Sequence, residues 1–236
     1  MAFERGFKTW CEKYAAKKRA ELGLRPSDPL DPFHLAKNLR IRVWTPNDVP
    51  GVTAEMLAVL LRNDGKTPSC WSALTVVVGQ KVVVILNSSH SPARQASDLM
   101  HELAHRIREH RAQEVEVSAA GLMLLKDYDK VQEEEADWLS GCLLLPREAL
   151  ISIKARRLDA QTAATTFGVS QRMESERLKL SRERQLASAI EQFQNVAKAQ
   201  VLLAIPKDNV FARNERKPSA TVVLSLKGNA LGQGEV

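Results

Sequence analysis

The spacing of apolar positions changes character several times along this chain of 236 residues. Phe3, Phe7, Trp10 and Tyr14 recur at helical intervals among Lys, Arg and Glu, which predicts an amphipathic helix over 3–22, stopped by Gly23 and Pro26. Asp31-Pro32 pairs an N-cap side chain with proline at the first helical position, so a short helix is expected from Pro32 to Leu39. Ile41–Trp44 alternates and reads as a strand, whereas residues 52–62 fit helix and strand equally. Leu74–Val78 and Lys81–Leu86 are β-branched runs around Gly79-Gln80, the signal of a hairpin. Ser91-Pro92 then opens a helical pattern that runs to about Arg111. Further helices are expected over 113–126, 131–145, 146–156 and 159–166, a short one after Ser170, and another over 182–195. Two strand-like runs, 199–205 and 220–226, close the chain. The mixture predicts an α+β fold.

Composition narrows the class. With 44% hydrophobic and 26% charged residues the chain is ordinary for a globular protein, and its length suits one large domain or a domain with an extension. Cys11, Cys70 and Cys142 are too far apart to form a CxxC pair, so a reducing, cytoplasmic setting is expected. No apolar run approaches the ~20 residues of a membrane helix, and the N-terminal residues lack the apolar stretch of a signal peptide. The net charge of +6 arises entirely after residue 150, because residues 1–150 carry 20 basic and 20 acidic side chains. Those basic residues are interspersed with acids, which favours a solvated surface over a nucleic-acid footprint.

The segment with the most chemistry in it is His101-Glu102-Leu103-Ala104-His105. On a helix, residues four apart lie about 40° apart around the axis, so both imidazoles face one way, a turn apart. One Zn²⁺ can take both, and Glu102 beside them can reach a metal-bound water as general base. The alternative is a plain amphipathic helix, since Leu99, Leu103 and Ile107 do form an apolar stripe. A catalytic site needs a third protein ligand, and Glu133-Glu134-Glu135-Ala136-Asp137 supplies a candidate. Glu133 and Asp137 share a helix face, where Glu133 could be the ligand and Asp137 the acceptor for the spare N–H of a ligand histidine, while Glu134 and Glu135 point elsewhere; the alternative is an acidic solvated helix face. His90 and Tyr128 are candidate oxyanion donors, although a surface histidine and an ordinary amphipathic tyrosine account for them as well. His34 and His110 have no partner in ligand spacing and read as structural or solvated.

The order of these motifs resembles the ImmA/IrrE family of zinc metallopeptidases, a gluzincin-like group, over roughly residues 7–180. The resemblance is carried by Asp31–Ala36 with Ile41–Val43, and by Val84–Asn87 with Ser91–Arg94 leading into His101–His105. It continues through Glu133–Leu139 with Leu143–Pro146, and through Phe167–Ser170 with Arg177-Leu178. Ala104 stands where that family usually has glycine, and Asp137 where it usually has asparagine. The resemblance implies His101, His105 and Glu133 as zinc ligands and Glu102 as base of a metallo-endopeptidase. The implied substrate is a protein held as an added strand, with Lys81–Asn87 as the expected sheet edge. Members of the family often cleave helix-turn-helix repressors, and residues 159–180 are themselves helix-turn-helix-like. Arg172, Arg177 and Lys179 there allow weak DNA contact, but no base-reading side chains cluster beside them.

Residues 182–236 resemble a different family. Leu186–Glu191, Ala199–Lys207, Val210–Arg213 and Lys217–Leu224 are similar to the ring-building domain of flagellar and type III secretion MS-ring proteins, in truncated form. Such a domain is helix–strand–strand–helix, so Val201/Leu203 and Val222/Leu224 are expected to lack cover unless they pack on the core or on another chain. The expected organisation is therefore a peptidase domain over 1–180 and a partial ring-building segment over 181–236. The alternative to a zinc peptidase is a non-enzymatic regulatory or assembly module that oligomerises through that segment. A His₂Glu site also accepts Mn²⁺ or Co²⁺.

Overall fold

The computed structural model describes residues 3–62, 71–78, 81–111, 115–117, 123–125, 129–193, 196–204 and 219–226. The fold is α+β, and the chain divides into two compact units, Met1–Glu174 and Ser175–Val236.

The first unit begins with α1 (Phe7–Glu21) and α2 (Pro32–Asn38), the latter capped by Asp31, whose carboxylate accepts from the Phe33 N–H. Strand β1 (Arg42–Trp44) follows, then a 3-10 turn over Pro46–Asp48 and α3 (Ala54–Leu60), which resolves the ambiguous stretch as helix. β2 (Ala73–Val78) and β3 (Lys81–Leu86) pair antiparallel, from Ala73 opposite Leu86 to Val78 opposite Lys81. The Gly79-Gln80 turn lies outside the described residues. β1 lies parallel to the other side of β3, giving the order β1-β3-β2. The run expected to be an edge, Lys81–Asn87, is thus the centre of the sheet. Its uninterrupted Val-Val-Val-Ile-Leu suits a strand flanked on both sides, and β2 takes the outer place.

α4 (Pro92–Ile107) packs across β2 and β3, with Leu99, Met100, Leu103 and Ala104 fully buried. Its entry is fixed by Asn87, wholly buried, whose side-chain amide donates to the Trp71 carbonyl while its oxygen accepts from Ser89. The helix expected over 113–126 is replaced by β4 (Val115–Val117) and β5 (Met123–Leu125), paired antiparallel. Val-Glu-Val alternates with the period of a strand, and three such residues outweigh the weak helical spacing around them.

α5 (Lys130–Leu144) is the central helix of this unit, packed against both α4 and α1, and almost every residue from Glu135 to Leu144 is buried. Its N-terminus is capped by Asp129, which accepts from Val131 and Gln132. Its C-terminal carbonyls are met by a wholly buried cation: Arg19 of α1 donates to Leu143 O at 2.6 Å and to Asp28 O at 2.9 Å. Burial depresses the Arg19 guanidinium pKa to about 10, against the opposing pull of Glu148, Glu12 and Asp28. α6 (Arg147–Ala155) and α7 (Ala160–Phe167) complete the unit, with α7 closed by Gly168 in the left-handed conformation (φ 63°).

The second unit begins within α8 (Gln171–Glu191) and adds an antiparallel pair, β6 (Val196–Ala204) and β7 (Ser219–Leu226). The two separate helices expected after Ser170 are one. No glycine or proline falls between residues 171 and 191 to interrupt it. Glu191 and Glu183 of α8 accept from the backbone N–H groups of Ala199 at 2.9 Å and Leu203 at 2.7 Å, so helix carboxylates satisfy strand donors that β7 does not reach. No helix among the described residues is long and apolar enough to cross a membrane.

Candidate metal centre

α4 presents His101 and His105 one turn apart, and the first turn of α5 brings Glu133 to them. His101 Nε2 and His105 Nε2 lie 3.0 Å apart, and Glu133 approaches them with Oε2 at 3.2 Å and Oε1 at 3.6 Å respectively. The outer nitrogens of both rings have partners as well. His101 Nδ1 lies 2.9 Å from Asp137 Oδ1, and His105 Nδ1 lies 3.0 Å from His110 Nδ1. Asp137 can only accept in its ionised form, so it fixes the His101 proton on Nδ1. With the His105 proton on Nδ1 too, both Nε2 lone pairs and a carboxylate point at one another. Three lone-pair donors converging in this way suit a cation. The spacing also fits: four ligands at ~2.0–2.1 Å in a tetrahedron stand ~3.3 Å apart. His101, His105 and Glu133 could therefore hold a metal ion.

Burial acts on these groups in opposite ways. It lowers His105 to a pKa of about 4, helped by neighbouring His101, so the His105 imidazole is neutral at ordinary pH. Burial also pulls on His101, but Asp137, Glu102 and Glu133 together outweigh it and raise that pKa. A bound cation would take the place of the proton those carboxylates attract. Burial raises the Glu102 carboxyl, against a hydrogen bond from Thr75 that favours its ionised form.

Glu102 turns towards the sheet, where the Thr75 hydroxyl of β2 donates to its Oε2 at 2.5 Å. Thr75 carries no motif that would mark it in the sequence. Only the pairing of β2 with β3, and α4 lying across both, brings it to Glu102. His90 is not a free donor at the site. Its Nδ1 lies 3.2 Å from Asp98 Oδ2 in a nearly buried pair that braces the first turns of α4. Tyr128 lies outside the described residues, and His34 is exposed on α2. His110 departs most from its expected role as a structural or solvated residue. It is nearly buried, stacks edge-on against His105 at 4.9 Å between ring centroids, and reaches Glu135 Oε2 at 3.2 Å with Nε2. Glu135, expected to point elsewhere, is 9% exposed and also accepts from Arg108 at 2.7 Å and 2.9 Å.

The first unit is thus an α+β domain with a His-His-Glu group that could hold a metal ion. Residues 64–179 match the IrrE N-terminal-like domain, a peptidase family. Residues 160–236 match the YscJ/FliF RBM domain of secretory proteins, so the two matched stretches overlap across α7 and the start of α8. The chain is also similar to the flagellar M-ring protein of Pseudomonas aeruginosa, 43% identical over 111 residues, covering 41% of this chain and 19% of that one. The flagellar M-ring proteins of Salmonella typhimurium and Escherichia coli are 39% and 38% identical over 71 residues, each covering 30% of this chain and 13% of the relative. The chain spans less than a fifth of the length of these relatives.

Proposed function

We propose that the first unit is the core of a gluzincin-like, zinc-dependent endopeptidase domain over residues 1–180, in which His101, His105 and Glu133 hold the ion and Glu102 is the general base. The convergence of three lone-pair donors beside a separately anchored carboxylate carries this reading. When bound, the ion would supply Lewis acidity to the scissile carbonyl and the attacking water. Glu102, beside the site, would accept a proton from the attacking water and hold it for the leaving amine nitrogen. Its burial supports the second task, because a carboxyl with a raised pKa holds a proton more readily. Asp137 orients the His101 ring, and Thr75 orients Glu102. The outer strand β2 offers a substrate peptide a sheet edge on the same strand that carries Thr75. The substrate class is a protein, with a cytoplasmic helix-turn-helix repressor as the expectation the family resemblance supplies.

The test is zinc content per chain in wild type and in Glu133→Ala, followed by proteolysis with and without chelator. About one zinc per wild-type chain, lost in the variant, is expected of a His₂Glu site. No zinc in the wild type after metal is added back overturns the reading.

A second reading, an assembly module acting through residues 181–236, is favoured by the M-ring relatives and by β7. Val222, Val223 and Leu224 are all about half exposed, while Val201 opposite Val222 is buried. This reading predicts concentration-dependent oligomers that disappear when residues 182–236 are removed, and it predicts no chelator-sensitive proteolysis.

A further inference from the structure

The two ligand histidines are supported in different ways. His101 leans directly on the carboxylate of Asp137, whereas His105 leans on a second imidazole. That imidazole is delivered by the way α4 ends. Glu109 adopts the left-handed conformation at φ 56°, and the chain doubles back so that the His110 N–H donates to His105 O at 3.0 Å and the Glu109 N–H to Arg106 O at 3.2 Å. This pair of bonds is a Schellman closure, usually built on glycine. Here a glutamate takes the unfavourable conformation, and the result is His110 stacked on His105.

The protons along this line can be assigned. His105 keeps its Nε2 lone pair for the ion only if its proton sits on Nδ1, from which it donates to His110 Nδ1. His110 then carries its own proton on Nε2 and donates it to Glu135 Oε2. Glu135 is held by Arg108, whose guanidinium also lies over the rings of Phe7 at 5.1 Å and Trp10 at 5.0 Å of α1. Both aromatics precede the stretch that matches the peptidase family.

On the reading of the site as a zinc centre, we infer that His110 is a positioning residue for His105, held in turn by Glu135, Arg108 and α1 in a relay that fixes the ligand's tautomer and ring orientation. Outer partners of this kind typically govern metal affinity by about 10–100-fold. The relay also gives α1 a part in metal binding although none of its residues touches the site.

The experiment measures the zinc dissociation constant of the full chain by chelator competition, with circular dichroism as a check of folding. His110→Phe, which keeps the ring and removes both nitrogens, is expected to weaken zinc binding by about 10–100-fold, and His110→Asn, which restores an acceptor near Nδ1, to recover part of the loss. Glu135→Gln is expected to weaken binding as well, while Glu134→Gln, the same change one position away, leaves it unaltered. In the zinc-bound wild type, a slowly exchanging imidazole Nδ1–H signal is expected from His105 and is lost in His110→Phe. Wild-type zinc binding with His110→Phe and Glu135→Gln folded and within twofold of it overturns this inference alone. Absence of zinc binding in the wild type overturns the parent reading, and this inference with it.

Discussion

The two compact units bury their apolar side chains very differently. In the first, α4 and α5 face each other with Leu99, Leu103, Leu139 and Leu143 wholly buried, and the sheet contributes Val84 and Leu86 to the same core. In the second, β6 buries Val196, Ala199 and Val201 but leaves Leu202 exposed, and β7 leaves Val222, Val223 and Leu224 near half exposure. The first unit is a closed core with a polar site set into one side. The second is a two-stranded sheet, an arrangement that is marginal alone, with helix carboxylates satisfying one edge. The converging polar side chains fall in the first unit, and the exposed apolar strand falls in the second.

Four variants and a chelation experiment break or sharpen this contrast, in order of expected effect, with Val223→Ala set beside Leu139→Ala as its exposed counterpart. Glu102→Gln should retain zinc yet lose about 10²–10⁴-fold in kcat for peptide hydrolysis, the usual scale of general acid–base catalysis, in single-turnover assays. Equal activity in the variant would remove Glu102 from the reaction. Leu139→Ala should destabilise the first unit by ~2–5 kcal/mol in urea unfolding, because its site is fully packed. Val223→Ala in the second unit should change stability by no more than ~0.5 kcal/mol, as at other exposed positions. Chelation, measured on the same unfolding curves, should lower the stability of the first unit by ~2.7 kcal/mol if free zinc stands at a hundred times its dissociation constant. A matching loss in the second unit would contradict the separation of the two. Glu191→Gln, which weakens a charge-assisted bond to the Ala199 N–H, should cost ~1 kcal/mol, read as faster amide exchange in β6.

The sequence was most legible where a local rule sufficed. The Ser91-Pro92 start, the Asp31 cap and the face shared by His101 and His105 all depend on neighbours within one or two turns. The strand pair at β4 and β5 was misread because short apolar runs satisfy helical and strand spacing together. The central place of β3 was missed because strand order is set by long-range pairing, which leaves no local mark. Thr75 and His110 escaped for related reasons. Thr75 is 27 residues from Glu102, and its role depends on how α4 crosses the sheet. His110 is five residues beyond His105, a spacing that a continuing helix would carry off the ligand face. Only the reversal at Glu109 returns it, and a glutamate is a poor advertisement for a left-handed turn.

By itself, then, the sequence determined the α4 helix, its two imidazoles, the carboxylate between them and the acidic helix that would answer them. These follow from helical periodicity and from the chemistry of side chains a few positions apart. Tertiary structure decided that Glu133 does reach the histidines, that Thr75 holds Glu102, and that Arg108, Glu135 and His110 stand behind His105 while Asp137 stands behind His101. Each of those contacts joins groups from different elements or across a chain reversal. Their distances are fixed by how buried faces of helices and strands pack together, which no local spacing encodes.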